Sequence, residues 1–153
     1  ALAQLPDPHI RLLCAGQGQE LQNNQDLCDR LGLSHRVQFL GYRKDVPQLY
    51  AAADAFLFVS YREGLSLSLM EAMSSRLPSI VTPIRGNTDL IENGKEGLYT
   101  ELDPTSIAAA IRTLREDPPL CRRLGKAAGE KIQAFGLPQV LEEMKKIYQS
   151  VAP

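Results

Sequence analysis

The sequence of 153 residues is short of several things, and each shortage removes a class of protein. It has three cysteines, Cys14, Cys28 and Cys121, an odd number, widely scattered and with no CxxC pair. That argues against a disulfide framework or a zinc site and fits reduced thiols in a cytosolic compartment. No apolar run approaches the length of a membrane span, and no secretory-leader pattern opens the chain. No charge of one sign dominates: 17 Lys+Arg against 18 Asp+Glu leave a net charge of -1. A field that weak does not attract nucleic acid or an anionic membrane. There is no internal repeat and no low-complexity segment. The expectation is a cytoplasmic protein that binds no nucleic acid, with length for one core-bearing domain. A small polyanion held by a few local groups stays compatible with this, because net charge says nothing about a single pocket.

What is present alternates. Short apolar runs at Ile10–Ala15, Val37–Leu40, Ala55–Ser60, Pro78–Thr82 and, more weakly, Glu96–Thr100 read as buried strands. Between them, Gln19–Leu33, Asp45–Ala53 and Leu67–Ser75 read as helices, with Asp45 as an N-cap and Pro47 early enough to be tolerated. From Asp103 the chain turns helical in three pieces, Pro104–Glu116, Leu120–Phe135 and Pro138–Val151. The spacing predicts an α/β fold, a Rossmann-like, doubly wound parallel sheet with a helical C-terminal segment. Ala1–Leu5 reads as the tail of a helix running straight into a strand, so the chain is expected to be a piece of a longer protein.

In such a sheet ligands sit at the carboxyl ends of the strands. That gathers Gly16-Gln17-Gly18, Gly41-Tyr42-Arg43, Ser60–Leu67 and Thr82–Asn87 on one edge. The stretch YREGLSLSLMEAMS is the richest of these, with Glu63 before a helix start and Glu71 about one turn inside it. The first helical amides, around Leu65 to Leu67, lack intrahelical partners and carry the positive end of the macrodipole, which suits a phosphate. Gly64, without a Cβ, lets backbone come close to such a group. A carboxylate accepts two hydrogen bonds from neighbouring hydroxyls, so Glu63 and Glu71 suit a ligand with a diphosphate between two sugars. A glutamate pair is more often plain surface. Here Leu67, Leu69, Met70, Ala72 and Met73 surround Glu71, which predicts a helix apolar around most of its circumference and therefore buried. A carboxylate there must find partners or incur roughly 2–7 kcal/mol.

EGLSLSLMEAM resembles the E-x7-E segment of the group 1 glycosyltransferases, retaining enzymes of the GT-B fold. Gly16-Gln17-Gly18, Leu31-Gly32-Leu33 with Val37–Gly41, Tyr50–Ala55 with Val59-Ser60, Pro78–Thr82 and Gly86-Asn87 resemble further segments of that family in the same order. The resemblance covers most of the chain from Ile10 to Asp117. It implies the C-terminal, nucleotide-sugar-binding half of such an enzyme, spanning residues 1–153. The first strand and the N-terminal acceptor domain, a partner of this half, would be missing. It also implies a role for each site residue. Glu71 would hold the ribose hydroxyls of a nucleoside-diphosphate sugar, and Glu63, as the catalytic residue, would lie against the donor sugar. Gly64, Leu65, Ser66 and Leu67 would face the diphosphate and sugar, Tyr42 and Arg43 would border the base, and Gly16 and Gly18 would form the glycine turn beside the donor. Transfer of a hexose to a glycan, lipid or other acceptor would proceed with retention, by front-face departure of the nucleoside diphosphate, with no metal and no cofactor.

The departures count too. Ser66 stands where the family has glycine, Arg76 where a glycine usually ends the helix, and Asp89 where Glu is commoner. The Arg and Lys that the family's opening strand and helix bring to the diphosphate are absent. Two other readings stay open: a nucleotide-sugar epimerase of GT-B fold, and a degenerate module that only binds a partner. A sheet edge left open by a missing strand would also invite pairing into a homodimer. Other features carry less. GQGQE at Gly16–Glu20 lacks the third glycine of a dinucleotide fingerprint. His9 and His35 lie apart in loops, and Arg122, Arg123, Lys126, Lys131, Lys145 and Lys146 read as solvated helix faces.

Overall fold

The continuous apolar runs fold as parallel strands. A computed structural model describes residues 1–151. Its elements, in order, are β1 (Leu12–Ala15), α1 (Leu21–Arg30), β2 (Val37–Gly41), α2 (Val46–Ala52), β3 (Phe56–Phe58), α3 (Leu67–Ser74), β4 (Ser79–Val81), α4 (Asn87–Leu90), β5 (Gly97–Tyr99), α5 (Pro104–Glu116), α6 (Pro118–Lys131) and α7 (Leu137–Val151), with 3-10 turns at Leu2–Gln4 and Ile132–Phe135. β1 pairs with β2, Leu12 opposite Val37, and β3, β4 and β5 pair in that order, Phe56 opposite Ser79 and Ser79 opposite Gly97. All pairings are parallel, and every crossover carries a helix or helical turn, as parallel pairing requires. Hydrogen bonding divides the strands into a pair and a triple, so each of β1 and β3 is paired along one side only.

β4 lies between β3 and β5, and all three of its residues are buried. Its alternation feeds two cores. Val81 faces Leu69, Met73, Leu90, Ile91, Ala128 and Ile132, with Phe56 and Phe58 against them. Ile80 faces Ala110, Leu114 and Leu124, with Leu57 and Leu98 alongside. Helices therefore cover both faces, as a sheet made of unbroken apolar strands demands. Backbone crowding sets the third strand: a Cβ on Gly97 would lie 2.4 Å from the Ser79 carbonyl oxygen.

Helix ends follow their capping residues. Asp103 Oδ1 accepts from the Thr105 and Ser106 amides at 2.8 and 3.0 Å, with Pro104 in the first turn of α5. Asp117 accepts from Leu120 N at 2.9 Å, so α6 begins at Pro118, ahead of the Leu120 start expected from pattern, because proline needs no amide partner there. α3 ends in a Schellman turn, with Arg76 N bonded to Met73 O and Leu77 N to Ala72 O. Arg76 does adopt the left-handed conformation, φ 58°, which costs a non-glycine residue about 1–2 kcal/mol. Its carbonyl and side chain lie so close to α6 that a Cβ on Gly125 would be 2.1 Å from Arg76 O. α4 was not expected: NTDL is four residues long and polar, too short to show helical periodicity.

Two elements lie outside the main cores. α7 carries Leu137, Leu141, Met144, Ile147 and Tyr148 exposed, and none of its residues is buried. At the opposite end, Arg36 ties the N-terminal segment down. Its guanidinium donates to the carbonyls of Ile10, Leu5 and Asp7 at 3.0, 2.9 and 2.8 Å, and Asp7 pairs with Arg115 of α5 at 2.8 Å. No helix among the described residues is long and apolar enough to cross a membrane. Replacing Arg36 by Met keeps the length of the stem and removes three charge-assisted hydrogen bonds. Urea unfolding of Arg36→Met is expected to show a loss of about 3 kcal/mol or more, and a change near zero would contradict the role of this tie.

Candidate functional site

The loops at the carboxyl ends of the strands carry the residues singled out from the sequence. Beyond β3 and β4 the two chains are laced together. Ser60 N donates to Thr82 Oγ1 at 3.1 Å, and that hydroxyl donates back to Ser60 O at 2.7 Å. Asn87 is fully buried and donates from Nδ2 to Thr82 O at 3.0 Å, and its Oδ1 has no partner among the described residues. The tightest contact is backbone on backbone. Gly86, φ 89°, lies so close to the Glu63–Gly64 loop that a Cβ on it would be 1.7 Å from Gly64 O. Within the protein's own packing, then, the close approach of backbone is made at Gly86. A Cβ on Gly64 would meet nothing within 4 Å, and Gly86 is the residue that must lack one.

This contact presents the start of α3. Ser66 is its N-cap, buried, with its hydroxyl accepting from Leu69 N at 3.3 Å. The side chain that replaces the family's glycine is thus turned inward onto its own helix. Met70 N is taken by Ser66 O, while the Leu67 and Ser68 amides have no partner among the described residues. These two N–H groups sit at the positive end of the helix and are free for an outside acceptor. Leu65 and Leu67 beside them are 54% and 71% exposed, so the helix start is open.

The two carboxylates bracket that opening differently. Glu63 is half-buried in the loop against Gly86, and Glu71 is exposed. The expectation of a buried helix, apolar around most of its circumference, is overturned: Leu69, Ala72 and Met73 form one buried face, and Leu67 and Glu71, four apart, share the open one. Glu71 is nonetheless held. The Tyr50 hydroxyl, from α2, lies 3.3 Å from its Oε2 and 3.1 Å from the Ser68 carbonyl.

The remaining expected residues lie at the ends of β1 and β2. Gly16, φ 136°, donates from N to Gly41 O at 2.8 Å, which joins those two loops, and Gly18 is exposed. Tyr42 is exposed. Arg43 is exposed and forked onto Asp45, Nε–Oδ1 2.8 Å and Nη2–Oδ2 2.5 Å. That hydrogen-bonded partner holds the Asp45 carboxyl below its usual range and raises the guanidinium further. Asp45 thus serves Arg43, and its side chain makes no capping bond to α2. No cluster of three or more potential metal-ligating His, Cys, Asp or Glu side chains occurs among the described residues.

Sequence reasoning missed Tyr50 as a partner of Glu71 and Gly86 as the packing glycine. The first had a signal in the i, i+4 pattern, which puts Glu71 on the face opposite Ala72 and Met73 where a neighbouring element could reach it. The second needed the fold.

Two measurements follow from this geometry. In Gly86→Ala, the left-handed backbone and the collision with Gly64 are expected to cost roughly 2–4 kcal/mol and to shift the Gly64 and Leu65 amide resonances. Unchanged stability and resonances would contradict the contact. The Tyr50 phenol is pushed up from 10.0 to about 12, chiefly by burial, then by the Glu71 charge and its hydrogen bond. The folded state holds this proton more tightly than the unfolded chain does. Its contribution to stability is therefore full below pH 10.0 and is lost as the pH rises through about 12. The phenolate absorbance of the protein minus that of Tyr50→Phe should have its midpoint near 12, and a midpoint near 10.0 would contradict the assignment.

Comparison with known proteins gives the frame for this edge. The sequence profile described as Glycosyl transferases group 1 matches residues 1–131. The chain is 34% identical over 151 residues to the putative glycosyltransferase EpsD of Bacillus subtilis (strain 168), covering 98% of this chain and 40% of that protein. It is 32% identical over 143 residues to the N-acetyl-alpha-D-glucosaminyl L-malate synthase of Bacillus anthracis, covering 92% of this chain and 38% of that protein. Among solved structures, Anabaena Alr3699/HepE in complex with UDP superposes with a TM-score of 0.87 at 29% identity, over 98% of this chain and 43% of that one. The chain thus spans about 40% of the length of the curated relatives it matches. Its parallel strands and covering helices are those of a GT-B half-domain. With a profile match across most of its length and relatives that are transferases, the chain belongs to the group 1 glycosyltransferases.

Proposed function

We propose that this chain is the donor-binding half of a retaining glycosyltransferase, one that moves a hexose from a nucleoside-diphosphate sugar to a glycan, lipid or other acceptor. The observation that carries the reading is the open start of α3, where the free Leu67 and Ser68 amides lie between Glu63 and Glu71. Each group has a part in that chemistry. The Glu71 carboxylate accepts from the ribose diol, and the two amides donate to the diphosphate oxygens, whose charge grows as the bond to the sugar breaks. Preorganised N–H groups at a helix end favour that developing charge more than the ground state, which is what accelerates departure. Glu63, behind Gly64, lies against the donor sugar. Tyr42 and Arg43 border the base, Gly16 and Gly18 form the glycine turn beside the donor, and Gly64, Leu65, Ser66 and Leu67 line the diphosphate and sugar.

A second domain would supply the acceptor side. The share of the relatives' length that this chain spans supports that reading. So does the exposed apolar row Leu137, Leu141, Met144 and Tyr148 on α7, a surface such a domain would cover. The single-sided pairing of β1 and β3 gives the isolated chain an edge through which two copies can associate, which sedimentation velocity would read as a concentration-dependent dimer.

The isolated chain is expected to bind nucleoside diphosphates weakly and without turnover. NMR titration with UDP, and with UDP-, ADP- and GDP-sugars, should move the amides of residues 64 to 68 and of Glu71. If none of these amides moves at millimolar ligand, donor binding by this chain is refuted.

A further inference from the structure

We propose that Tyr50 is a positioning residue for Glu71: its hydroxyl holds one carboxylate oxygen so that the other faces the diol of a bound nucleotide. The proposal rests on the reading of Glu71 as the diol acceptor and adds the group that orients it.

The phenol ring is set by the core and not by the site. It meets Phe56 edge-on, centroids 5.8 Å apart at 80°, and Phe56 stacks with Phe58 at 5.6 Å on the face packed by Leu69 and Met73. A ring seated this way fixes where its hydroxyl oxygen lies. That oxygen has a single hydrogen and two acceptors in reach, Ser68 O at 3.1 Å and Glu71 Oε2 at 3.3 Å. Both distances exceed the usual value of about 2.8 Å for O–H···O, as in a three-centre bond with the hydrogen between the acceptors. The Ser68 carbonyl belongs to the backbone of α3 and cannot move. The Glu71 side chain is exposed and can. The carboxylate is therefore drawn to a fixed donor, which narrows its rotamers before any ligand arrives.

The arrangement also leaves capacity for a ligand. An ionised carboxylate has about four acceptor positions, and Tyr50 uses one, on Oε2. The rest can take the two hydroxyls of a ribose. The Tyr50 bond to Oε2 is kept when they do, so the carboxylate is held in the same orientation in the empty and the filled site.

Tyr50→Phe deletes the hydroxyl and keeps the ring that packs on Phe56. Affinities of UDP and of 2′,3′-dideoxyuridine diphosphate are to be measured by NMR titration on the whole chain, for the unchanged protein, Tyr50→Phe, Glu71→Ala and the double variant. Tyr50→Phe is expected to weaken UDP by about three- to tenfold, the size of one hydrogen bond, and to leave the dideoxy analogue unchanged. In the Glu71→Ala background it should have no further effect. Equal weakening of both nucleotides, no weakening of either, or full additivity with Glu71→Ala overturns the role of Tyr50. If Glu71→Ala itself fails to reduce the preference for UDP over its dideoxy analogue, the diol reading of Glu71 falls first and this proposal with it. If Glu71→Ala removes that preference and Tyr50→Phe does not reduce it, only the proposal for Tyr50 falls.

Discussion

Backbone packed on backbone at Gly86 and Gly64 is the constraint from which the site is built. α3 has to press Leu69, Ala72 and Met73 into the core while its first turn stays open at the edge of the sheet. The chain leaving β3 must therefore arrive from the correct side and turn sharply into the helix. The loop beyond β4 holds it there by contact with the Gly64 carbonyl, a contact that only a residue without a Cβ allows. Ser60 and Thr82 pin the same two loops nearer the strands. The position of Glu63, the free amides of Leu67 and Ser68, and the direction of α3 all follow from that packing.

Electrostatics at the edge is arranged by neutral groups as much as by charges. Ser66 satisfies one amide of α3 and leaves two, so the helix end is partly capped and partly available. Tyr50 places an uncharged donor beside Glu71, where a cation would compete with a ligand for the carboxylate. Arg43 is already committed to Asp45, so its positive charge reaches the edge as half of a pair. A surface with little net field can still present local poles suited to a diphosphate joined to polyols.

The outer parts of the molecule follow a different logic. The β1–β2 unit has few buried side chains; Arg36 fastens it to three carbonyls of the N-terminal segment, which lies against α5 with Leu5 buried and Asp7 paired to Arg115. α7 keeps a row of apolar side chains at its surface. The buried weight of the fold lies with β4, α3, α5 and α6, and the open start of α3 belongs to that same half.

Much of this was legible in the residues themselves. Unbroken apolar runs such as AFLFVS and PSIVT announce parallel strands because a sheet covered on both faces leaves no polar side to alternate. Asp103-Pro104 marks a helix start because an acceptor and a missing amide are what a first turn needs, whereas the same signal at Asp117-Pro118 was read only as a junction before Leu120. Glu63 and Glu71 stood out by their spacing around a helix start. The exposure of Glu71 was misjudged because counting apolar neighbours ignores direction, whereas Leu69, Ala72 and Met73 at helical spacing leave Leu67 and Glu71 on the free side. Local pattern thus determined the order of elements and the chemistry on the strand-end edge. Tertiary structure alone decided which glycine had to be bare, which tyrosine met which carboxylate, and that Arg43 was already paired. Those are contacts across loops distant in sequence or set by side-chain direction, and no local periodicity records them.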